Sequence, residues 1–144
     1  MNRPKTTEPA LLNLLERARE AALNAYAPYS GFRVGAALRL AGGEIVTGAN
    51  VENVSYGLTI CAERAALVRA VSQFGPAIRV QAVAVANLNS TACPPCGACR
   101  QMLAEFTQPE AQAIFPDAEG GEQTVSFREL LPLPFAIKLK QEPA

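Results

Sequence analysis

Cys61, Cys96 and Cys99 are the residues whose type and spacing best suit them to hold a metal ion. Cys61 opens Cys61-Ala62-Glu63 at the start of one helical pattern, and Cys96-Gly97-Ala98-Cys99 opens another. Thiols at i and i+3 point to one side of a helix, and the partial positive charge of a helix N-terminus shifts them toward the thiolate that binds metal. Pro95, just before, suits a helix's first turn. Three thiolates converging from two helix ends leave one tetrahedral position of a zinc ion open for water, the catalytic arrangement rather than the closed structural one. Glu63 is then the nearby carboxylate. Cys93 complicates the count, because Cys93-Pro94-Pro95-Cys96 is also a Cys-x-x-Cys pair. A closed Cys₄ site, a redox pair and buried small hydrophobes therefore stay open as readings. Against the closed site, Cys61 stands alone, and Cys93 is set outside the helix by two prolines.

The rest of the composition narrows the chemistry. The chain has no histidine, which removes imidazole ligands, the commonest general base, and the Ser-His-Asp and Cys-His nucleophile systems. With 144 residues, 49% of them hydrophobic, one compact domain spanning 1–144 is expected, with a core that needs no disulfides. Thirteen basic residues balance thirteen acidic ones, so nucleic acid is not an expected partner. No apolar stretch approaches membrane-spanning length, and the polar start at residues 1–8 suggests a flexible tail. A cytoplasmic, reducing location and no membrane partner follow as expectations. Asn53-Val54-Ser55 and Asn89-Ser90-Thr91 match the glycosylation pattern and are taken as chance.

The elements that must position the cysteines can be placed by periodicity. Leu11, Leu12, Leu15, Ala18 and Ala22 mark an amphipathic helix that stops before Pro28. Val34, Ala36 and Leu38 alternate with Arg33 and Arg39, and Gly42-Gly43 followed by Ile45-Val46-Thr47 completes a hairpin. A second helix is expected over 59–73, closed by Gly75-Pro76, and a strand buried on both faces over 78–88, at the sheet centre. A helix over 96–106, a strand near 113–115, a turn at 117–121 and another strand follow. Ser126 and Glu129 are spaced as a capping box for a last helix over 127–131. The order αββαβαββα argues for a mixed sheet covered by helices.

Cys61-Ala62-Glu63-Arg64 and Pro95-Cys96-Gly97-Ala98-Cys99-Arg100-Gln101 resemble the zinc signature of the small cytidine deaminases. Tyr29-Ser30-Gly31-Phe32-Arg33-Val34-Gly35-Ala36-Ala37, Gly48-Ala49-Asn50-Val51-Glu52-Asn53 and Glu129-Leu130-Leu131-Pro132 extend the likeness over about residues 10–135. Pro94 departs from the pattern where a small polar residue is usual, and Cys93 is not a family ligand. The resemblance implies an α/β fold, a three-layer α/β/α sandwich on a five-stranded mixed sheet, assembled as a homotetramer. It makes Cys61, Cys96 and Cys99 the ligands of one zinc per chain and Glu63 the catalytic acid and base. It gives Arg64 the role of hydrogen-bonding ligand sulfur, which draws off the charge of three thiolates. It sets Phe32 against the pyrimidine, counts Ala62 among the substrate contacts, turns Asn50 and Glu52 to the ribose hydroxyls, and sends Tyr56 and Phe135 into a neighbouring subunit's site. Arg100 is read as a solvated helix residue.

The activity this implies is hydrolytic deamination of cytidine and deoxycytidine, with release of ammonia, in pyrimidine salvage. Glu63 would take a proton from the attacking water, deliver it to ring N3 and later protonate the departing amino group. A blasticidin S-type deaminase is the nearest enzymatic alternative, and Asn50-Val51-Glu52 argues against it. A Cys₄ zinc interaction module is the alternative of a different class. Polynucleotide editing would call for a basic channel of which the neutral composition gives no sign.

Overall fold

Alternation along each strand decides which helix its side chains meet. In the computed structural model, which describes residues 8–137, the strands are β1 (Val34–Leu40), β2 (Ile45–Ala49), β3 (Val80–Asn87), β4 (Thr107–Pro116) and β5 (Glu122–Ser126). They form one sheet in the order β2-β1-β3-β4-β5, with β3 at its centre as expected. β3 and β4 run parallel, and the other neighbours run antiparallel. The helices are α1 (Pro9–Ala22), α2 (Ala62–Phe74), α3 (Gly97–Ala104) and α4 (Phe127–Leu130). None is long and apolar enough to cross a membrane among the described residues. The expected tail lies outside the described residues apart from Glu8.

One face of the sheet is built from small side chains. Ala37, Ala82, Ala84 and Ala86, with Ile114, pack against Leu11, Leu14, Leu15 and Ala18 of α1. The period of two sends Leu38, Val83 and Val85 to the other face, where Leu67 of α2, Leu103 of α3 and Phe127 of α4 cover them. Helices on both faces of a five-stranded mixed sheet make the expected three-layer α/β/α sandwich. Two glycines let the layers close. A Cβ at Gly35 would stand 1.9 Å from the Ala18 carbonyl oxygen, and one at Gly48 would stand 2.4 Å from the Ala66 nitrogen and 2.8 Å from the Ala62 oxygen.

Of the boundaries that differ from the periodicity, three have a visible cause. α2 starts at Ala62 rather than 59, because Ile60 exchanges backbone hydrogen bonds with Val51 at 2.9 Å each way and is held extended, after a 3₁₀ turn at Tyr56–Leu58. α3 ends at Ala104 rather than 106, since the Phe106 oxygen accepts the Val80 N–H and has left the helix. β4 begins six residues before 113: Thr107 already pairs with Val80, and the register breaks before Gln112 pairs with Ala82. Pro109, with no N–H to give, sits in that break and hides the strand from a pattern search. The capping box of Ser126 and Glu129 is present on α4.

Candidate active site

The metal-binding thiols come from helix starts. Cys61 is the N-cap of α2 and Cys96 the N-cap of α3, both extended in backbone and neither spending its side chain on a cap bond. Cys99, one turn into α3, is fully buried. The Cys61 and Cys96 sulfurs are 3.8 Å apart and those of Cys96 and Cys99 3.3 Å, and the ligand atoms of all three lie within 4.8 Å of one another. Tetrahedral zinc with bonds of about 2.3 Å to sulfur would hold such atoms about 3.8 Å apart, so the donor set fits zinc in both spacing and chemistry. Cys93 is outside this group, which leaves a three-thiolate set.

The local field favours thiolate at Cys61. Cys61 is lowered to about 5, chiefly by its hydrogen bond with the Cys99 thiol, with Arg64 and Cys96 adding to the effect against burial. Cys99 is raised, for the same hydrogen bond and by burial, so the charge of the pair rests on Cys61. Arg64 sends Nη2 to the Cys61 sulfur at 3.7 Å and to the Thr59 carbonyl at 3.2 Å. That is the contact expected of a residue that draws charge from a ligand sulfur.

Glu63 is 4% exposed, and burial is the main force raising its pKa above the usual carboxylate range, against hydrogen bonds from its own backbone and that of Cys96. Its carboxylate lines a cavity of about 320 Å³ together with Phe32, Val34, Asn50, Thr59, Cys61 and Ala62. Ala92, Cys93, Pro94 and Cys96 close the other wall. The volume is in the range of small-molecule sites, and a carboxylate beside a metal-binding set is equipped for proton transfer in hydrolysis. The Cys93 thiol is raised to about 11, mainly by burial, so Cys93 adds no charge to this wall.

The structure therefore brings Phe32, Asn50, Ala62 and Glu63 together with the thiols. Glu52 is placed differently. It is only partly buried, does not line the cavity, and accepts the Tyr29 and Ser30 N–H groups at 3.0 and 3.1 Å and the Ser30 hydroxyl at 2.5 Å. Those bonds lower its pKa, the Ser30 hydroxyl most. Tyr56 and Phe135 are 73% and 78% exposed and stand away from their own chain's cavity. Arg100 is not the solvated residue expected: half-buried, it donates to the Pro95 oxygen at 2.7 Å and the Leu130 oxygen at 2.9 Å, tying the cysteine loop to α4. No spacing rule exposes that role, since its acceptors are backbone oxygens.

A model of the family described as cytidine and deoxycytidylate deaminase zinc-binding region matches residues 10–114. The chain belongs to that family. It is 44% identical over 125 residues to a cytidine deaminase of Halalkalibacterium halodurans, covering 87% of this chain and 93% of that protein. Among solved structures, cytidine deaminase from Mycobacterium tuberculosis superposes with a TM-score of 0.75 at 39% identity, and that from Burkholderia pseudomallei with 0.74 at 41%. In both cases the match covers 90% of this chain and 100% of the other. The chain is thus a deaminase-family enzyme with a zinc site at Cys61, Cys96 and Cys99.

In this deaminase the helix that offers Cys61 and Glu63 is seated by Gly48. Gly48→Ala should push α2 away from β2 and cost about 1–3 kcal/mol in overpacking. The expected result is a lower thermal midpoint together with a lower zinc content after gel filtration. Unchanged values of both would mean that the α2 start is not held by this contact.

Proposed function

We propose that the protein hydrolyses cytidine and deoxycytidine to the corresponding uridines and ammonia, as part of pyrimidine salvage. The observation that carries this reading is the buried Glu63 carboxylate on the wall of the same cavity as Cys61 and Cys96. Zinc held by Cys61, Cys96 and Cys99 supplies Lewis acidity that brings the pKa of water toward ~7. Glu63 then works as the proton carrier. It accepts a proton from the attacking water and delivers it to ring N3 so that C4 becomes electrophilic. It then takes the remaining proton from the oxygen newly bonded to C4 and passes it to the amino group, which leaves as ammonia as the C4 carbonyl forms. A carboxylate whose pKa burial has raised is suited to giving the proton back as well as taking it. Arg64 keeps the Cys61 sulfur in place and offsets its charge.

Phe32 and Ala62 form the apolar surface for the pyrimidine. Asn50 faces the sugar: Val34 N–H and the Phe32 oxygen use one acceptor site and one donor of its carboxamide, which leaves one of each for hydroxyls. Glu52 contributes to the ribose side with the lone pairs its three donors leave over, and by fixing Ser30. The mapping of these roles makes a blasticidin-type substrate the second choice.

The oligomer belongs to the same proposal. Val51, Val54, Tyr56, Leu58 and Ile60 are 40–76% exposed in one segment beside the site, an apolar strip that a second copy would cover. A homotetramer would carry Tyr56 and Phe135 to neighbouring cavities, and sedimentation should give four chains per particle. Four free cysteines, three of them clustered as ligands, suit a reducing cytoplasm.

The test is a substrate panel of cytidine, deoxycytidine, cytosine and blasticidin S, followed by ultraviolet change and ammonia. Cytidine and deoxycytidine should lead. Free cytosine, lacking the sugar contacts, should fall by roughly 10² to 10³ in kcat/KM. Cytosine turning over as well as cytidine would remove the nucleoside assignment.

A further inference from the structure

Phe32 sits on a short segment in which every backbone polar group from Gly31 to Val34 has a partner within the chain, and most of those partners are not strand ladder. Gly31 N–H reaches the Ala27 oxygen, and Phe32 N–H reaches the Ser30 hydroxyl, itself held by Glu52. The Phe32 oxygen and Val34 N–H are taken by the Asn50 carboxamide at 2.8 and 2.9 Å. On the other side, the Gly31 oxygen and Arg33 N–H are taken by the Asn89 carboxamide, both at 3.1 Å. The Val34 oxygen accepts Asn50 N–H, and the Arg33 oxygen accepts Leu88 N–H. Each asparagine thus spans an oxygen and an N–H two residues apart, as an adjoining strand would.

Asn89 differs from Asn50 in what it connects. It lies on the loop after β3 that continues into Ala92, Cys93 and Pro94, the wall of the cavity shared with Phe32. That loop is itself fixed. Asn87 accepts the Asn89 and Thr91 N–H groups at 2.9 and 3.3 Å and donates to the Thr91 oxygen at 2.8 Å, around Ser90 at φ 52°. A rigid loop bonded to the Phe32 segment transmits its position to that ring.

We propose that Asn89 is a positioning residue for substrate binding: by bridging the Gly31–Val34 segment to the 92–94 loop it sets the width of the slot that receives the pyrimidine. This rests on the reading of the cavity as a pyrimidine site. Asn89 is exposed, so water replaces its hydrogen bonds when it is removed, and the loss appears as a looser slot rather than an unfolded chain. Glu63 and the thiols are carried by α2 and α3, which Asn89 does not touch. The chemical step is therefore spared.

The test compares Asn89→Ala and Asn89→Asp with the zinc-loaded wild-type protein on cytidine. Asp keeps an acceptor for Arg33 N–H and suits a turn equally well, but it cannot donate to the Gly31 oxygen. Both variants should raise KM about tenfold with kcat within about threefold, a loss of binding rather than of chemistry, at unchanged zinc content and thermal midpoint. Wild-type KM in both variants would overturn the inference, as would wild-type KM in Asn89→Asp alone, since the bridge would then not be needed. A fall in kcat at constant KM would overturn it too. A wild-type protein inactive on cytidine would overturn the deaminase reading and this inference with it, whereas an active one with unchanged variants overturns this inference alone.

Discussion

Glu63→Gln should fold, retain zinc and lose nearly all turnover of cytidine. Gln fills the same buried volume and still accepts the hydrogen bonds that Glu63 receives from backbone, but it has no titratable proton to carry between water, N3 and the amino group. General acid and base catalysis contributes roughly 10² to 10⁴ in rate, and here a single carboxylate does both jobs, so kcat should fall toward the upper end of that range. KM should change little, because the Phe32 and Asn50 walls are intact. Steady-state kinetics on protein of verified zinc content checks this. Wild-type turnover in Glu63→Gln would show that the proton passes through another group and would remove the main chemical support for the mechanism.

Removing any one of Cys61, Cys96 or Cys99 as Ala should strip the protein of zinc, while Cys93→Ala keeps one per chain. The three sulfurs within 4.8 Å of each other form the donor set, and Cys93 is not among them. With no histidine in the chain, no neighbouring imidazole can take the vacated position. Loss of the ion also removes the tie between the starts of α2 and α3, so the three variants should be inactive and less stable to heat. Metal analysis after gel filtration decides the matter. Zinc loss in Cys93→Ala would restore the closed four-cysteine site and, with it, the interaction-module reading.

The legible parts of this chain were those where one residue type fixes one outcome. Cysteines at helix starts, the Ser126 and Glu129 capping box, and the Val-rich run of β3 all declare themselves locally. Long-range backbone pairing does not. The extended stretch at Ile60 exists because Val51, nine residues earlier, bonds to it, and the start of β4 exists because Val80 pairs with Thr107. The site divides in the same way. Glu63 and the thiols follow from their order along the chain, whereas Asn89 and Arg100 act on backbone atoms that carry no residue identity. Glu52 is of the same kind: its carboxylate accepts the Tyr29 and Ser30 N–H groups and the Ser30 hydroxyl, contacts that no spacing along the chain declares.

The most direct test of cytidine deamination follows cytidine by ultraviolet absorbance and ammonia by a coupled assay in one reaction of zinc-loaded protein. Uridine and ammonia should form in equal amounts, with the activity lost on chelation and regained on adding zinc. Cytidine left unchanged by fully zinc-loaded, folded protein, or ammonia released equally well after the metal is removed, would contradict it.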